Sequence, residues 1–234
     1  MPYRYELHCH TLEGSACSVM PAMDLADFYY QAGYSGICVS DHFSGNSTLP
    51  DDTLWNDRVD YYYNIYKKIS AAGSKLGLSV FFGLEYTLAP DVTHITNGTG
   101  NDFLLLNLTK EWLAKSKDVF KLKPREMFSA IRSAGVFVIH AHPFHTGDWV
   151  EYIRLLPKSV DAVEVMNAHV DDFVNKNAQF YAQAYNLPGT GGSDLHGAHW
   201  DTLSGVETDT PCHTSADLTM AIANRQARPF FISR

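Results

Sequence analysis

Short apolar runs recur along this chain, and five of them break off at an imidazole or a carboxylate. Tyr5-Glu6-Leu7 leads into His8-Cys9-His10, Ser35 to Ser40 into Asp41-His42, and Leu78 to Leu84 into Glu85. Val136 to Ile139 runs into His140-Ala141-His142, and a short element ends in Gly191-Gly192-Ser193-Asp194-Leu195-His196. A carboxylate at the end of an apolar strand costs too much desolvation to stand alone, so it needs a cation or a set of donors. In a strand, residues two apart share a face, which points His8 and His10 the same way and turns Cys9 to the other side. Two neutral imidazoles held so are good nitrogen donors to a metal ion.

Between the apolar runs lie amphipathic stretches of helical length, the pattern of βα units around a parallel sheet. Helices are expected over Met20 to Gly33, Leu54 to Lys75, Pro124 to Ala134, Asp171 to Tyr185 and Ser215 to Asn224. Further strands are expected at Phe103 to Leu108 and Ala162 to Met166, with a last one at Val206 and Pro229 to Ile232. If all strands run parallel, their carboxyl ends share one face, where sites are assembled from several strands.

The 234 residues fit one large α/β domain spanning residues 1–234, and 45% hydrophobic with 19% charged residues is ordinary for a soluble enzyme. A formal net charge of −8 excludes affinity built on blanketing a nucleic-acid backbone with Lys and Arg. The amino terminus lacks the apolar core of a signal peptide, and no apolar run approaches the ~18 residues that cross a bilayer. A cytoplasmic location without membrane contact is therefore expected, and no obligate protein partner is evident. Cys9, Cys17, Cys38 and Cys212 lack Cys-x-x-Cys spacing, so neither a disulfide framework nor a thiolate zinc site is indicated. Tyr61-Tyr62-Tyr63 reads as helix packing, and Asn97-Gly98-Thr99 as a turn.

Taken in order, His8-x-His10, Ser40-Asp41-His42, Gly83-Leu84-Glu85, Ala141-His142-Pro143 and Gly192-Ser193-Asp194-x-His196 resemble the motifs of the PHP family, named for polymerase and histidinol phosphatase. The resemblance runs from Tyr5 to about Gly197. It implies an α/β fold in the form of a distorted seven-stranded (β/α) barrel, holding two or three divalent ions (zinc, manganese or iron) and hydrolysing phosphate esters. By motif, it implies that His8, His10, Asp194 and a bridging Glu85 hold one metal. Glu85 and His142 share a second, and His42 and His196 hold a third. Asp41 is expected to orient an imidazole from behind the ligands, as outer carboxylates commonly do.

The chain departs from the family pattern twice. Where many members carry a third-site His or Asp after the first motif, this chain has Ser15, with Glu13 nearby either as a substitute ligand or as a solvated loop carboxylate. The family's second metal also takes a His or Glu from the fourth strand, whose end here reads Asn107-Leu108-Thr109. His140 either compensates or is a buried core histidine. Cys9 and Cys17 lie near the ligand set, but the resemblance argues against both as ligands, and strand alternation argues against Cys9.

Two cations ~3.5–4 Å apart clamp a phosphate and bring a bound water close to hydroxide, so no Ser or Cys nucleophile is needed. The expected activity is attack of that hydroxide on a small phosphomonoester or nucleotide. His145, Arg58, Arg154 and His169 are candidate contacts to the phosphate or leaving group. The alternatives are an exonuclease or phosphodiesterase acting on short oligonucleotides, disfavoured by the lack of a basic track, and an amidohydrolase-type carbon–nitrogen hydrolase.

Overall fold

The computed structural model describes residues 2–88, 101–147, 150, 152–197 and 201–233. In chain order these form β1 (Tyr3–Glu6), α1 (Ala22–Gln31), β2 (Gly36–Val39), α2 (Trp55–Leu76), β3 (Ser79–Phe82), β4 (Leu84–Thr87) and β5 (Asp102–Leu106). Then come α3 (Lys110–Lys115), α4 (Pro124–Ser133), β6 (Phe137–His140), β7 (Ala162–Asn167), α5 (Asp172–Ala184), β8 (Gly189–Gly192), β9 (Thr202–Thr208), α6 (Ser215–Ala223) and β10 (Ala227–Ser233). Asn97-Gly98-Thr99 lies outside the described residues. None of the described helices is long and apolar enough to cross a membrane.

The helices follow their apolar spacing. α1 starts after Pro21 and buries Ala22, Leu25, Ala26 and Tyr29, one stripe at helical period. α2 buries Val59, Tyr62, Ile65 and Ile69 and stops at Gly77, whose φ of 77° is the left-handed cap that glycine adopts without strain. The tyrosines of α2 do more than pack. The Tyr62 hydroxyl lies within hydrogen-bonding distance of the carbonyls of Gly14 and His42, tying the helix to the end of β2.

The strands form two five-stranded sheets, ordered β10-β9-β1-β2-β3 and β4-β5-β6-β7-β8. The expected seven-stranded barrel is thus corrected: among the described residues there are ten strands in two sheets, and no ladder closes them into one. The break comes at Gly83, where the chain stops pairing with β2 and starts pairing with β5. A Cβ there would lie 2.5 Å from Cys38 Sγ and 3.0 Å from the Leu105 carbonyl oxygen, so only glycine passes between the two sheets.

Just beyond the strands, a few backbone bonds join the sheets. On one side Glu85 donates its N–H to the Asp41 carbonyl and Phe43 donates to that of Glu85. On the other, Asp194 donates to the His8 carbonyl and His10 to that of Leu195. Between the sheets, Tyr5, Leu7, Cys38, Phe81, Leu104, Leu106, Ile139 and Ala162 form one buried cluster drawing on both.

Strand direction differs from the expected parallel order as well. β5 runs antiparallel to both β4 and β6. A parallel return needs a crossover of helical length, whereas an antiparallel one needs only a loop. The sequence between β4 and β5, rich in Gly, Thr, Asn and Pro, has no helical periodicity to supply that crossover. The consequence is that β5 begins, rather than ends, at the edge where the histidines gather.

Candidate metal centre

Both seams between the sheets carry the histidines and carboxylates picked out by the motifs. His8 and His10 are fully buried. His8 Nδ1 lies 3.0 Å from Glu164 Oε1, while its Nε2 lies 3.3 Å from Glu85 Oε1 and 3.4 Å from Asp194 Oδ1. His10 Nε2 is 3.1 Å from Asp194 Oδ1 and 3.5 Å from Glu85 Oε2. From β2, His42 brings Nδ1 to 2.8 Å from Glu85 Oε2. After β6, His142 Nε2 stands 3.5 Å from Glu85 Oε1 and 3.7 Å from Asp194 Oδ2. His196 Nδ1 is 2.8 Å from the Asp194 carbonyl oxygen, and its ring stacks 4.4 Å from that of His10.

Hydrogen bonds behind these groups fix which ring nitrogens face inward. The Ser15 hydroxyl donates to Asp41 Oδ1 at 2.9 Å and accepts the His42 N–H at 3.0 Å. A hydroxyl has one hydrogen to donate, so Ser15 meets His10 Nδ1, 3.1 Å away, as acceptor. His10 therefore carries its proton on Nδ1 and presents a bare Nε2 to the centre. Asp41 meets the His10 imidazole only through Ser15, and its oxygens also accept the N–H and hydroxyl of Thr11. Glu164 does the same for His8 directly, and its Oε2 accepts the His142 N–H. Asn167 donates to both Glu164 and Asp194.

The backbone is strained at two of these positions. His142 has φ of 24° and Asp194 φ of 52°, left-handed conformations that non-glycine residues rarely hold unless their surroundings demand it.

Opposite charges set the electrostatics. Burial favours a neutral Glu85, yet the His42 and His8 imidazoles outweigh it and hold the carboxylate well below its usual range. Asp194 is held down likewise, against burial, by His8, His10 and His196. His142 is pulled down by burial, but contact with Glu85 and the charges of Asp194 and Asp102 lift it to about 9. His10 falls to about 3, through burial and the neighbouring His42 and His196.

These donors fit divalent cations. His8 Nε2, His42 Nδ1 and both oxygens of Glu85 are buried without an aligned hydrogen bond, although each lies within 3.5 Å of an oppositely charged partner. Such atoms are aimed at a shared space, and a cation there relieves the cost of leaving them unpaired. Four sets bring ligand atoms within 4.8 Å of one another: His8, His10 and Glu85; Glu85, Asp102 and His142; His10, His42 and His196; His8, His142 and Glu164. Imidazole with carboxylate accepts zinc, iron and manganese alike.

Several candidates take other places. Glu13 turns away from these sets, and its Oε2 caps α1 by accepting the Ala22 N–H at 2.8 Å. His140 is a core residue, stacked 4.6 Å from Phe103 and brought down to about 3 by burial and by His142. Arg58 is buried and donates to the carbonyls of Phe43 and Pro50 and to Ser47, so it braces the loop after His42. Arg154 stacks on Tyr152. His145 and His169 do reach the centre: with Cys17, Asn46, His42, Glu85, Asp102, His142, Asp194 and His196 they line a cavity of about 300 Å³. A larger cavity of about 460 Å³, between α5 and β10, holds none of these groups.

Sequence reasoning missed Asp102, Glu164 and the role of Ser15. Asp102 reaches the centre because β5 runs backwards, and its carboxyl is raised by burial and by the charge of Glu85. Glu164 showed the same signal as Glu85, a carboxylate inside an apolar strand.

Solved structures share this fold. A two-domain protein of Bacteroides vulgatus, containing a domain inferred to be a PHP-like metal-dependent phosphoesterase, superimposes with a TM-score of 0.70 at 17% identity. The fold is PHP-like. The match covers 98% of this chain and 65% of the Bacteroides protein, so this chain spans less than two thirds of that relative. An inferred metal-dependent phosphoesterase of Bifidobacterium adolescentis matches at a TM-score of 0.53 and 15% identity, over 85% of this chain and 90% of its own. An amidohydrolase of Chromobacterium violaceum, with bound sulfate and no metal, matches at a TM-score of 0.57 and 12% identity, over 96% and 97%. No family model and no curated protein matches the chain.

Proposed function

We propose that the protein is a PHP-family phosphoesterase that uses two or three divalent ions, zinc, manganese or iron, to hydrolyse a small phosphomonoester. The observation that carries this reading is Glu85. Its two buried oxygens, unmatched by any aligned hydrogen bond, face imidazoles from β1, β2 and β6 at once, as a bridging ligand must. In this reading His8, His10, Glu85 and Asp194 hold one ion, and Glu85, Asp102 and His142 a second. His42 and His196 hold the third, with His10 beside them. When bound, the ions supply Lewis acidity and neutralise charge on the phosphoryl oxygens.

The chain's own residues do the rest. Glu164 and Ser15 hold the protons of His8 and His10 away from the centre, keeping Nε2 of each ring available. His145 and His169 line the cavity and are the groups to hydrogen-bond a phosphate oxygen or protonate the leaving alcohol. The lining contains no Lys or Arg among the described residues, so anion binding relies on imidazoles and cations. A cavity of about 300 Å³ suits a small ester better than an oligonucleotide.

The likeness to an amidohydrolase supports a second reading, carbon–nitrogen hydrolysis by the same centre. Turnover of phosphomonoesters, nucleotides, a phosphodiester reporter and simple amides, each with manganese and with zinc, separates the two. Phosphate release from monoesters is expected; amide cleavage with no phosphate release sinks the first reading.

A further inference from the structure

Glu6 belongs to none of the donor sets of the centre, yet it is fully buried. Strand alternation puts it on the same face as His8 and His10, one step deeper. Its partners are all neutral: Oε1 accepts the N–H groups of Leu7 at 2.9 Å, His8 at 2.8 Å and Ser193 at 2.9 Å. Oε2 meets the Ser193 hydroxyl, which in turn accepts the Ser204 N–H at 2.9 Å. Taking a carboxyl group out of water with no cation beside it is costly, and an apolar side chain would fill the same space at less cost. What Glu6 supplies instead is a fixed set of directions.

Those directions cross the seam between the sheets. Glu6 ends β1 of one sheet and leads into His8, while Ser193 follows β8 of the other. A single oxygen atom therefore holds the N–H of His8 and the N–H of the residue before Asp194. Beside it, Asp194 donates its own N–H to the His8 carbonyl at 2.7 Å. The two links flank the His8 Cα, one through its N–H and one through its carbonyl, so the backbones can neither slide nor part. The side chains follow: His8 Nε2 stands 3.4 Å from Asp194 Oδ1. The same links hold Asp194 at its φ of 52°, since a left-handed residue persists only where its surroundings over-determine it.

We propose that Glu6 is a positioning residue for the first ion, setting the separation of His8 and Asp194 by holding the backbone of His8 and Ser193 across the seam. The proposal rests on the metal-centre reading above. Glu6 acts differently from Glu164, which orients the His8 ring. It places the two chain segments from which the His8 and Asp194 ligands project. That role asks for an acceptor of the right length and not for a charge.

The test compares the full chain with Glu6→Ala, Glu6→Gln and Ser193→Ala, titrating zinc and manganese against a chromophoric chelator and following thermal unfolding of the metal-free chains. Glu6→Ala is expected to weaken one ion by about 10- to 100-fold, the range for lost support behind a ligand, and to leave the others in place. Glu6→Gln keeps the Oε1 acceptor and should bind like the unaltered chain. Should Glu6→Ala not fold, Ser193→Ala serves instead: it removes the Oε2 partner, leaves the Oε1 bonds, and is expected to weaken the same ion by a smaller factor. A purely structural side chain lowers the Tm alone. A folded Glu6→Ala or Ser193→Ala chain with unchanged metal affinity therefore overturns the proposal and leaves the metal centre standing. A Glu6→Gln chain as weak as the alanine variants overturns it in favour of charge. An unaltered chain that takes up neither zinc nor manganese overturns the metal centre as well.

Discussion

His8 Nδ1 and Glu164 Oε1 lie 3.0 Å apart, both fully buried, at the seam where the two sheets meet. The carboxylate that orients the ring also accepts the His142 N–H through its second oxygen, so one side chain sets two ligands. Glu164→Gln keeps the shape and loses the charge. Its expected effect is a fall in metal affinity of about 10- to 100-fold with little change in fold, read by competition with a chromophoric chelator. Unchanged affinity would remove Glu164 from the orienting role.

Asp102 is expected to serve the second ion alone. Asp102→Asn should lower the metal content by about one ion per chain and cut phosphatase turnover, while Asp194→Asn should remove most of both. Metal analysis of the two purified variants decides it; equal losses in both would contradict separate subsites.

Metal uptake should depend on pH through His142. In the metal-free chain its imidazole stands at about 9 against an ordinary 6.5, raised by Glu85, Asp194 and Asp102 despite burial. Because the folded value is raised, its contribution to stability is fully present below about pH 6.5 and is lost as pH rises through about 9. A cation must displace that proton, so affinity should climb from about pH 6.5 to 9 with protons released to the buffer. Calorimetry in buffers of different ionisation enthalpy measures the release, and a pH-independent affinity would count against the assignment.

Gly192 sits against the same pair. A Cβ there would lie 2.3 Å from Glu164 Oε1 and 2.4 Å from His8 Cβ. Gly192→Ala is expected to cost about 1–3 kcal/mol, or about 2–4 °C of Tm per kcal/mol for a chain of this size, and to weaken the metal that His8 holds. Thermal unfolding with and without zinc reads both effects.

How far these features were legible follows from where each signal is written. The pairing of His8 with His10 is a matter of strand alternation, and the carboxylate ending β4 announces itself by its desolvation cost, so both could be read from residues in line. Asp102 could not be read so. It precedes its strand, and only the antiparallel return of β5 brings it round to the histidines. Its clue was the lack of helical periodicity in the sequence between Thr87 and Asp102. Glu164 lies inside Ala162-Val163-Glu164-Val165-Met166 and does not end its strand, so it lacks the strand-end position that marks Glu85. Arg58 and Glu13 failed differently. Their side chains settle on loop carbonyls and a helix terminus, which no linear spacing reveals. The two-sheet arrangement turns on Gly83, where a close approach to Cys38 and Leu105 is invisible until both neighbours are in place.

The histidines of the amino-terminal sheet, His8, His10 and His42, face the carboxylates and histidines of the other sheet across the division made at Gly83. Cations bound there would act as rivets through two plates that share only a few backbone bonds of their own. Assembly of the catalytic machinery and locking of the tertiary structure would then be a single event, and a chelator would loosen the whole molecule as it silenced the enzyme.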